Sequence, residues 1–206
     1  MNKNEKFVIT INREFGSGGH AIGEELARQL GVRFIDKQIV EAVANKFNIT
    51  PEEASIIENR RPSWWEDFAQ FYSNFMSMNE YFVDAQNITS RQLFLAQKAA
   101  IREIAYQESC VIVGRCGFDI FREESNSLKL FIHAPKDVRI KRIMERYNVN
   151  EIKAKELIAD NDYTRELFTK TFTGCNWYDA RNYDLALDVK NFGVQGAVEF
   201  LLNFIG

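Results

Sequence analysis

The sequence contains few cysteines and prolines and carries little net charge. Its three cysteines, Cys110, Cys116 and Cys175, are widely spaced and form no C-x-x-C pair, which argues against a disulfide framework or a zinc site and favours buried free thiols. A net charge of −3 provides no field for a long nucleic acid, so no nucleic-acid partner is expected. With only three prolines and no low-complexity linker, the 206 residues predict one domain, 1–206.

Long apolar runs are also missing. No stretch approaches the ~18 apolar residues of a membrane-spanning helix. Residues 1–6 are charged and are not followed by the apolar core of a signal peptide. A cytoplasmic protein without a membrane partner is therefore expected.

Short apolar segments alternate with longer helical patterns along most of the chain. Each apolar segment is nearly continuous, as in strands covered on both faces, and the segments between them are long enough for crossover helices. This pattern predicts a parallel, doubly wound α/β sheet. The predicted strands are 7–12, 32–35, 110–114, 128–134 and 183–188.

One segment reads as successive helices without a convincing strand. It covers residues 50–107, begins at the capping sequence Thr50–Pro51, and is too long for a single crossover. Its aromatic stripe is typical of packing within a helical insert or of a homodimer interface, with stacking on a substrate base as the alternative. The stripe comprises Trp64, Trp65, Phe68, Phe71, Tyr72, Phe75, Met76, Met78, Tyr81 and Phe82.

The first predicted strand leads into a glycine-rich loop and then a helix. The loop glycines let backbone N–H groups turn inward, and the helix start adds partial positive charge, so the junction can hold phosphate. In a G-x-x-x-x-G-K-[ST] loop, a lysine reaches the β and γ phosphates and a hydroxyl binds magnesium. Here Gly19, His20 and Ala21 follow Gly18, so both the lysine and the hydroxyl are missing.

An arginine follows the third predicted strand. Arg115 lies between two nearby glycines, at the sheet edge where open parallel sheets bind their ligands. Its planar guanidinium can bind phosphate bidentately, which predicts a phosphate anchor. The alternative is a structural pair with a carboxylate.

Basic residues also follow the fourth predicted strand. Arg139, Arg142 and Arg146 share one helical face, which by itself is typical of a solvated stripe. Asn150 can cap a further helix that contains Arg165 and ends before Gly174. Cations in these helices are predicted to form a lid over a phosphoryl group.

Six short blocks, spread in order over almost the whole chain, connect these features. The blocks are ITINREFGSGG from Ile9, FIDK from Phe34, VIVGRC from Val111, FIHAP from Phe131, FTG from Phe172 and NYDL from Asn182. Together they resemble the cytidylate kinase-like family.

The resemblance implies an α/β P-loop fold in three layers, α/β/α, with a five-stranded parallel sheet. It further implies a core of residues 7–49 and 108–206, a helical acceptor-binding insert at 50–107, and a helical lid at about 148–175. The implied activity is transfer of the γ-phosphoryl group of ATP to a nucleoside monophosphate or another small acceptor. ATP and Mg²⁺ are the implied cofactors, with no metal ligand named in the chain.

The resemblance also implies roles for individual residues. The loop would bind the donor phosphates, and Asp36 and Arg115 would bind the acceptor. Arg142, Arg146 and Arg165 resemble lid arginines by placement alone. Arg142 and Arg165, with Arg13, are the predicted catalytic cations. The predicted loop residues are Gly16, Ser17, Gly18, Gly19 and His20.

The chain departs from the family pattern in the loop and after the third strand. Arg13 stands where the family loop has its first glycine, Gly19 where it has lysine, and Ala21 where a threonine binds magnesium. Cys116 replaces the aspartate of a Gly-Arg-Asp motif.

Two functions are compatible with these departures. One is a phosphotransferase in which Arg13 or the lid arginines replace the lysine, since phosphoryl transfer depends mainly on positioning and electrostatics. The other is a nucleotide-binding sensor or interaction module without turnover. For Arg13 itself, the alternative to a phosphate contact is an ion pair with Glu14 or Glu24.

Overall fold

The computed structural model describes residues 1–36 and 90–206, without the side chains of 90–93, 95, 96, 99, 100 and 103. The chain divides into two compact units, one of Met1–Asp36 with Ile104–Gly206 and one of Lys37–Glu103. The first unit contains the sheet and the predicted site. The predicted cap at Thr50 and the aromatic stripe, with its homodimer interface, lie outside the described residues.

Five strands form one parallel sheet in the order β2-β3-β1-β4-β5. This confirms the predicted α/β class, with small differences at the strand ends. β1 includes Arg13, and β5 begins after Tyr183 because the N–H of Tyr183 instead closes a 3-10 turn, Ala180–Asn182. The strands are β1 (Val8–Arg13), β2 (Arg33–Ile35), β3 (Cys110–Val113), β4 (Ser127–His133) and β5 (Leu185–Asp188).

Helices follow the strands and cover both faces of the sheet. The side chain of Asn150 accepts the N–H of Lys153, and Gly174 ends the same helix in a left-handed conformation, as predicted. The described helices are α1 (Gly19–Leu30), α2 (Ser90–Gln107), α3 (Gly117–Ile120), α4 (Lys136–Tyr147), α5 (Glu151–Thr173) and α6 (Gly193–Ile205).

The main core lies between the sheet and the pair α1 and α6. Ile9 and Ile11 of β1 pack in one cluster with Ile22 of α1 and Leu201 of α6. Successive strand residues alternate between the two faces, so Arg13 is the next β1 residue on the α1 face. This alternation brings Arg13 beneath the first turn of α1.

The opposite face packs against α3 and an aromatic cluster. Phe131 of β4 meets Trp177 and Tyr183 at ring distances of 5.4 and 5.0 Å. The predicted buried thiols are confirmed at Cys110 and Cys116, while Cys175 is only partly buried. Within residues 1–36 and 90–206, none of the helices combines the length and hydropathy that crossing a bilayer requires.

Candidate functional site

The loop between β1 and α1 is held in shape by one serine. Ser17 is fully buried; its hydroxyl donates to the Glu14 carbonyl at 2.8 Å and accepts the Gly19 N–H at 3.3 Å. Gly18 precedes the helix with a φ of 91°, a left-handed conformation that favours glycine. Because both functions of the Ser17 hydroxyl are used within the loop, this residue is a loop support.

The same loop presents free backbone donors at the start of α1. Within residues 1–36 and 90–206, the N–H groups of Gly18, His20 and Ala21 donate to no protein acceptor. The first N–H groups of a helix have no partner inside the helix, and the helix dipole adds positive charge there. This arrangement fits the phosphate oxygens of a nucleotide.

Two glycines make room for the Arg13 side chain. A Cβ at Gly19 would lie 2.6 Å from Arg13 Cβ and 3.0 Å from Arg13 Cγ, so the arginine stem fills the space that a side chain at position 19 would need. A Cβ at Gly114, just after β3, would overlap Arg13 Nη1. We refer to Arg13, Gly19 and Gly114 as the Arg13 cradle.

Positive charge accumulates around the Arg13 cradle. Arg13 is 7% exposed, and burial, followed by the charge of Arg165, lowers its pKa well below the usual value. Arg115 also lowers this pKa, and the Asp36 carboxylate raises it. An anion beside these guanidinium groups would be stabilised by the same charges. The acids considered as partners of Arg13 are engaged elsewhere, Glu14 with Arg139 and Glu24 with His20.

The backbone after β3 is unusual. Gly114, Arg115 and Cys116 all adopt positive φ, at 82°, 57° and 56°. A non-glycine residue in this region costs on the order of 1–3 kcal/mol, and such residues concentrate at functional sites. This turn holds Arg115, which is half-buried, at the carboxyl edge of the sheet beside the cradle.

His20 and Asp36 form a close pair at the same edge. The Nε2 atom of His20 lies 2.7 Å from Asp36 Oδ2, and its ring meets Phe34 edge-on at 5.4 Å. Burial acts to raise the pKa of Asp36, but the His20 hydrogen bond and the charge of Arg13 outweigh it, so this pKa is lowered. Asp36 is therefore an ionised carboxylate within a cationic site.

A second set of charges lies on the other side of the loop. Asp162 of α5 accepts the Phe15 N–H at 2.7 Å and pairs with Arg139 of α4 at 2.5 Å. Arg139 also lies 3.3 Å from Glu14 Oε2, which accepts the Ala134 N–H at 3.3 Å. These groups are largely buried and hold the loop against α4 and α5.

Arg165 completes this set. Its Nη1 donates to the Arg13 carbonyl at 3.0 Å, and its guanidinium lies 5.4 Å from the centre of the Phe15 ring. Burial lowers its pKa to about 10, although Asp162 opposes the shift. We refer to Glu14, Arg139, Asp162 and Arg165 as the brace.

The arginines predicted to share a face of α4 differ in their surroundings. The prediction of a solvated stripe is wrong for Arg139, which is 7% exposed because α5 supplies Asp162 opposite it. Arg142 donates to the Ser17 carbonyl at 2.6 Å and approaches the Gly16 carbonyl at 3.5 Å. Arg146 is exposed.

Sequence reasoning did not identify the brace carboxylates. Glu14 was considered only as an ion-pair partner of Arg13, and Asp162, inside a long helix, was given no partner. A signal was present in α5, where Asn161, Asp162, Thr164 and Arg165 place polar groups on a buried surface. Buried charges are paired as a rule, so Asp162 and Arg165 are expected to have oppositely charged or hydrogen-bonding partners on a neighbouring element.

The β1–loop–α1 junction, the arginine after β3 and the parallel sheet define a P-loop kinase fold. The chain belongs to the cytidylate kinase-like family, whose model matches residues 8–191. No curated protein matches the chain.

Solved structures share this fold over nearly the full chain. One is an uncharacterized protein from Eubacterium ventriosum ATCC 27560, 25% identical with a TM-score of 0.70, covering 97% of this chain and 98% of that chain. Another is shikimate kinase from Bacteroides thetaiotaomicron, which is 14% identical with a TM-score of 0.54; the match covers 97% of this chain and 98% of that chain. A third is shikimate kinase from Acinetobacter baumannii in complex with shikimate, which is 12% identical with a TM-score of 0.50; the match covers 98% of this chain and 94% of that chain. Because the two shikimate kinases are only 14% and 12% identical to this chain, the likeness shows a shared fold and no shared activity.

Proposed function

We propose that this protein is a phosphotransferase that binds ATP at the glycine loop and transfers its γ-phosphoryl group to a small acceptor near Asp36 and Arg115. The acceptor is a nucleoside monophosphate or another small molecule. The observation that carries the proposal is the Arg13 cradle. The apolar stem of Arg13 fills the space beside Gly19, the position at which P-loop kinases carry lysine, and its guanidinium lies beside Gly114.

The position of Arg13 at the end of β1 supports a role in which it stabilises phosphate charge in place of the loop lysine. The Arg13 stem requires glycine at position 19, so the missing lysine and the added arginine are two parts of one substitution. A preorganised cation in a buried site stabilises the charge that develops on a transferring phosphoryl group. Arg115 would hold an anionic group of the acceptor.

The donor site fits ATP better than it fits a protein-bound metal. The free N–H groups of Gly18, His20 and Ala21 suit phosphate oxygens. Mg²⁺ keeps several waters and is bound largely through substrate phosphates. In the described ranges no group of three His, Cys, Asp or Glu side chains could hold a metal, and the Ser17 hydroxyl is committed to the loop. Mg²⁺ would therefore enter with the nucleotide, whose phosphate charge it would neutralise.

A nucleotide sensor without turnover is the second candidate. It is favoured by the contacts of two predicted catalytic arginines. Arg142 donates to loop carbonyls and Arg165 to the Arg13 carbonyl, so both support the loop in this structure. A protein that only binds nucleotide would need this rigid loop and no transfer chemistry.

Turnover assays on three proteins separate these candidates. Wild type, Arg13→Met and Arg146→Ala are given ATP with each of the four common nucleoside monophosphates, and ADP is measured. Methionine keeps the apolar stem beside Gly19 and removes the charge, so folding should be preserved. We expect Arg13→Met to lower turnover by about 10²-fold, the effect of losing a preorganised electrostatic group.

Arg146→Ala is the matched control, because it removes one exposed arginine from α4. It should behave as wild type. Undiminished turnover in Arg13→Met would contradict the role of Arg13. ATP binding in calorimetry, with no ADP formed by wild type from any acceptor or from water, would favour the sensor.

A further inference from the structure

The His20–Asp36 pair has a geometry that phosphate binding does not require. His20 belongs to the first turn of α1, and Asp36 follows directly after β2. Their 2.7 Å contact joins the nucleotide loop to the predicted acceptor side. The side chain of Asp36 is 8% exposed and that of His20 is 30% exposed, so the carboxylate is sheltered while the imidazole has access to small molecules.

This pairing fixes the roles of the two ring nitrogens. An ionised Asp36 accepts from Nε2–H, which leaves Nδ1 as the nitrogen that can take up a proton. The charged groups around the pair are Glu24, whose Oε2 lies 4.0 Å from Nδ1, and Arg13 and Arg115, whose charges act on Asp36. A base oriented by a buried carboxylate is the arrangement that activates hydroxyl nucleophiles.

Acceptors differ in their need for such a base. A phosphate acceptor is already ionised near neutral pH and attacks without losing a proton. A hydroxyl acceptor must lose its proton as the new bond to phosphorus forms. A base beside the loop therefore discriminates between these two classes of acceptor.

We infer that His20, positioned by Asp36, is the general base for an acceptor that carries a hydroxyl group together with an anionic group for Arg115. The inference rests on the proposed phosphotransferase function. The hydroxyl oxygen forms a bond to the γ-phosphorus, and the bond from that phosphorus to the β–γ bridging oxygen breaks. ADP leaves with the electron pair, and the hydroxyl proton passes to His20 Nδ1 and then to solvent.

The test compares acceptor classes in wild type, His20→Gln and His133→Gln. ADP is measured with the four nucleoside monophosphates, with glycerate, with glycerol 3-phosphate, and with water alone, which is the simplest hydroxyl acceptor. Glutamine can still donate a hydrogen bond to Asp36, so the fold is kept. His133 is the only other histidine and lies at the end of β4, which makes it the matched control.

For hydroxyl acceptors or water, kcat/KM of wild type should rise with pH with unit slope and then level off. His20→Gln should lower it by about 10²-fold and remove the slope, the usual effect of losing a general base. Transfer only to nucleoside monophosphates, with less than about threefold loss in His20→Gln, would overturn the inference and leave the phosphotransferase intact. No ADP under any condition would overturn both.

A tautomer measurement tests the geometry without turnover. Long-range ¹H–¹⁵N spectra of wild type and His133→Gln assign the two imidazoles. Neutral His20 should carry its proton on Nε2. Asp36→Ala, which removes the acceptor, should abolish that preference while leaving the His133 signals in place. A proton on Nδ1 in wild type would overturn the inference, because Nδ1 could not then take up the proton of the acceptor hydroxyl.

Discussion

The two sides of the loop between β1 and α1 place arginines in opposite surroundings. On the cradle side, Arg13 feels the like charges of Arg115 and of Arg165 from the brace, and Asp36 opposes them. On the brace side, Arg139 is paired with both Glu14 and Asp162. The pKa of Arg13 is lowered by burial and by neighbouring arginines, whereas Arg139 lies between two carboxylates.

The pKa values of the carboxyl groups on the two sides are shifted in opposite directions. On the cradle side the pKa of Asp36 is lowered, because the His20 hydrogen bond and nearby arginines outweigh burial. On the brace side burial raises the pKa of Glu14, although Arg139 opposes it. We infer that the cradle side is built to receive a further anion and that the brace side is built to hold the loop.

Removing one charge of the brace should give the largest effect on stability. Asp162→Ala leaves Arg139 without its 2.5 Å partner and the Phe15 N–H without its acceptor. Breaking a buried ion pair from one side costs about 3–5 kcal/mol. Urea unfolding of Asp162→Ala should show a loss of this size.

The double variant Asp162→Ala/Arg139→Met provides the control. It removes both charges, so it should be more stable than Asp162→Ala alone. A loss below about 1 kcal/mol in the single variant, typical of exposed pairs, would contradict a buried brace.

Crowding the cradle should have the next largest effect. In Gly19→Ala the added methyl group would lie 2.6 Å from Arg13 Cβ. Overpacking a filled site costs typically about 1–3 kcal/mol. Thermal or urea unfolding should show this loss. Gly196→Ala in α6 offers a contrasting site, since a Cβ there would meet Phe192 Cβ at an ordinary 3.6 Å.

Gly19→Ala in an Arg13→Gly background is the sharper comparison. With the arginine stem gone, the methyl group has room, so the alanine should be tolerated. An equal loss in both backgrounds would show that Gly19 is required for another reason.

The sheet could largely be predicted from the sequence, whereas Arg13 was expected in the loop after strand 7–12 and instead ends β1. Nearly continuous apolar runs identified the strands, and alternation after Ile9 and Ile11 explains why Arg13 lies beneath α1. The brace could not be predicted this way. The partner of Arg139 comes from a different helix, and charges on a helical face look solvated until that helix is placed. The contact between His20 and Asp36 likewise depends on where β2 ends against α1.

The smallest predicted effects are opposite pH dependences on the two sides. The lowered pKa of Asp36 adds stability that is fully present above the unfolded-state value of 3.8 and is lost as pH falls through the folded value. The stability of wild type relative to Asp36→Asn should therefore shrink as pH falls below about 3.8, the unfolded-state value. Urea unfolding at several pH values measures it.

Glu14 should show the reverse trend. Its raised pKa adds stability at low pH that is lost as pH rises from 4.5 through the folded value. As pH rises above 4.5, the free energy of unfolding of wild type should therefore fall relative to that of Glu14→Gln. Trends of the same sign for both residues would contradict the electrostatic difference between the two sides.

We propose that Arg13 and Gly19 together replace the lysine of the loop. Calorimetry of ATP binding to Arg13→Gly, Gly19→Lys and the double variant tests this exchange. Each single change should weaken ATP binding at least about tenfold, or ~1.4 kcal/mol, by removing the cation or by forcing a lysine against the arginine stem. The double variant moves the cation to position 19 and should recover most of the affinity, a coupling expected of residues in contact. If the double variant instead loses as much binding free energy as the two single variants together, the two residues do not act as a pair and the proposal is contradicted.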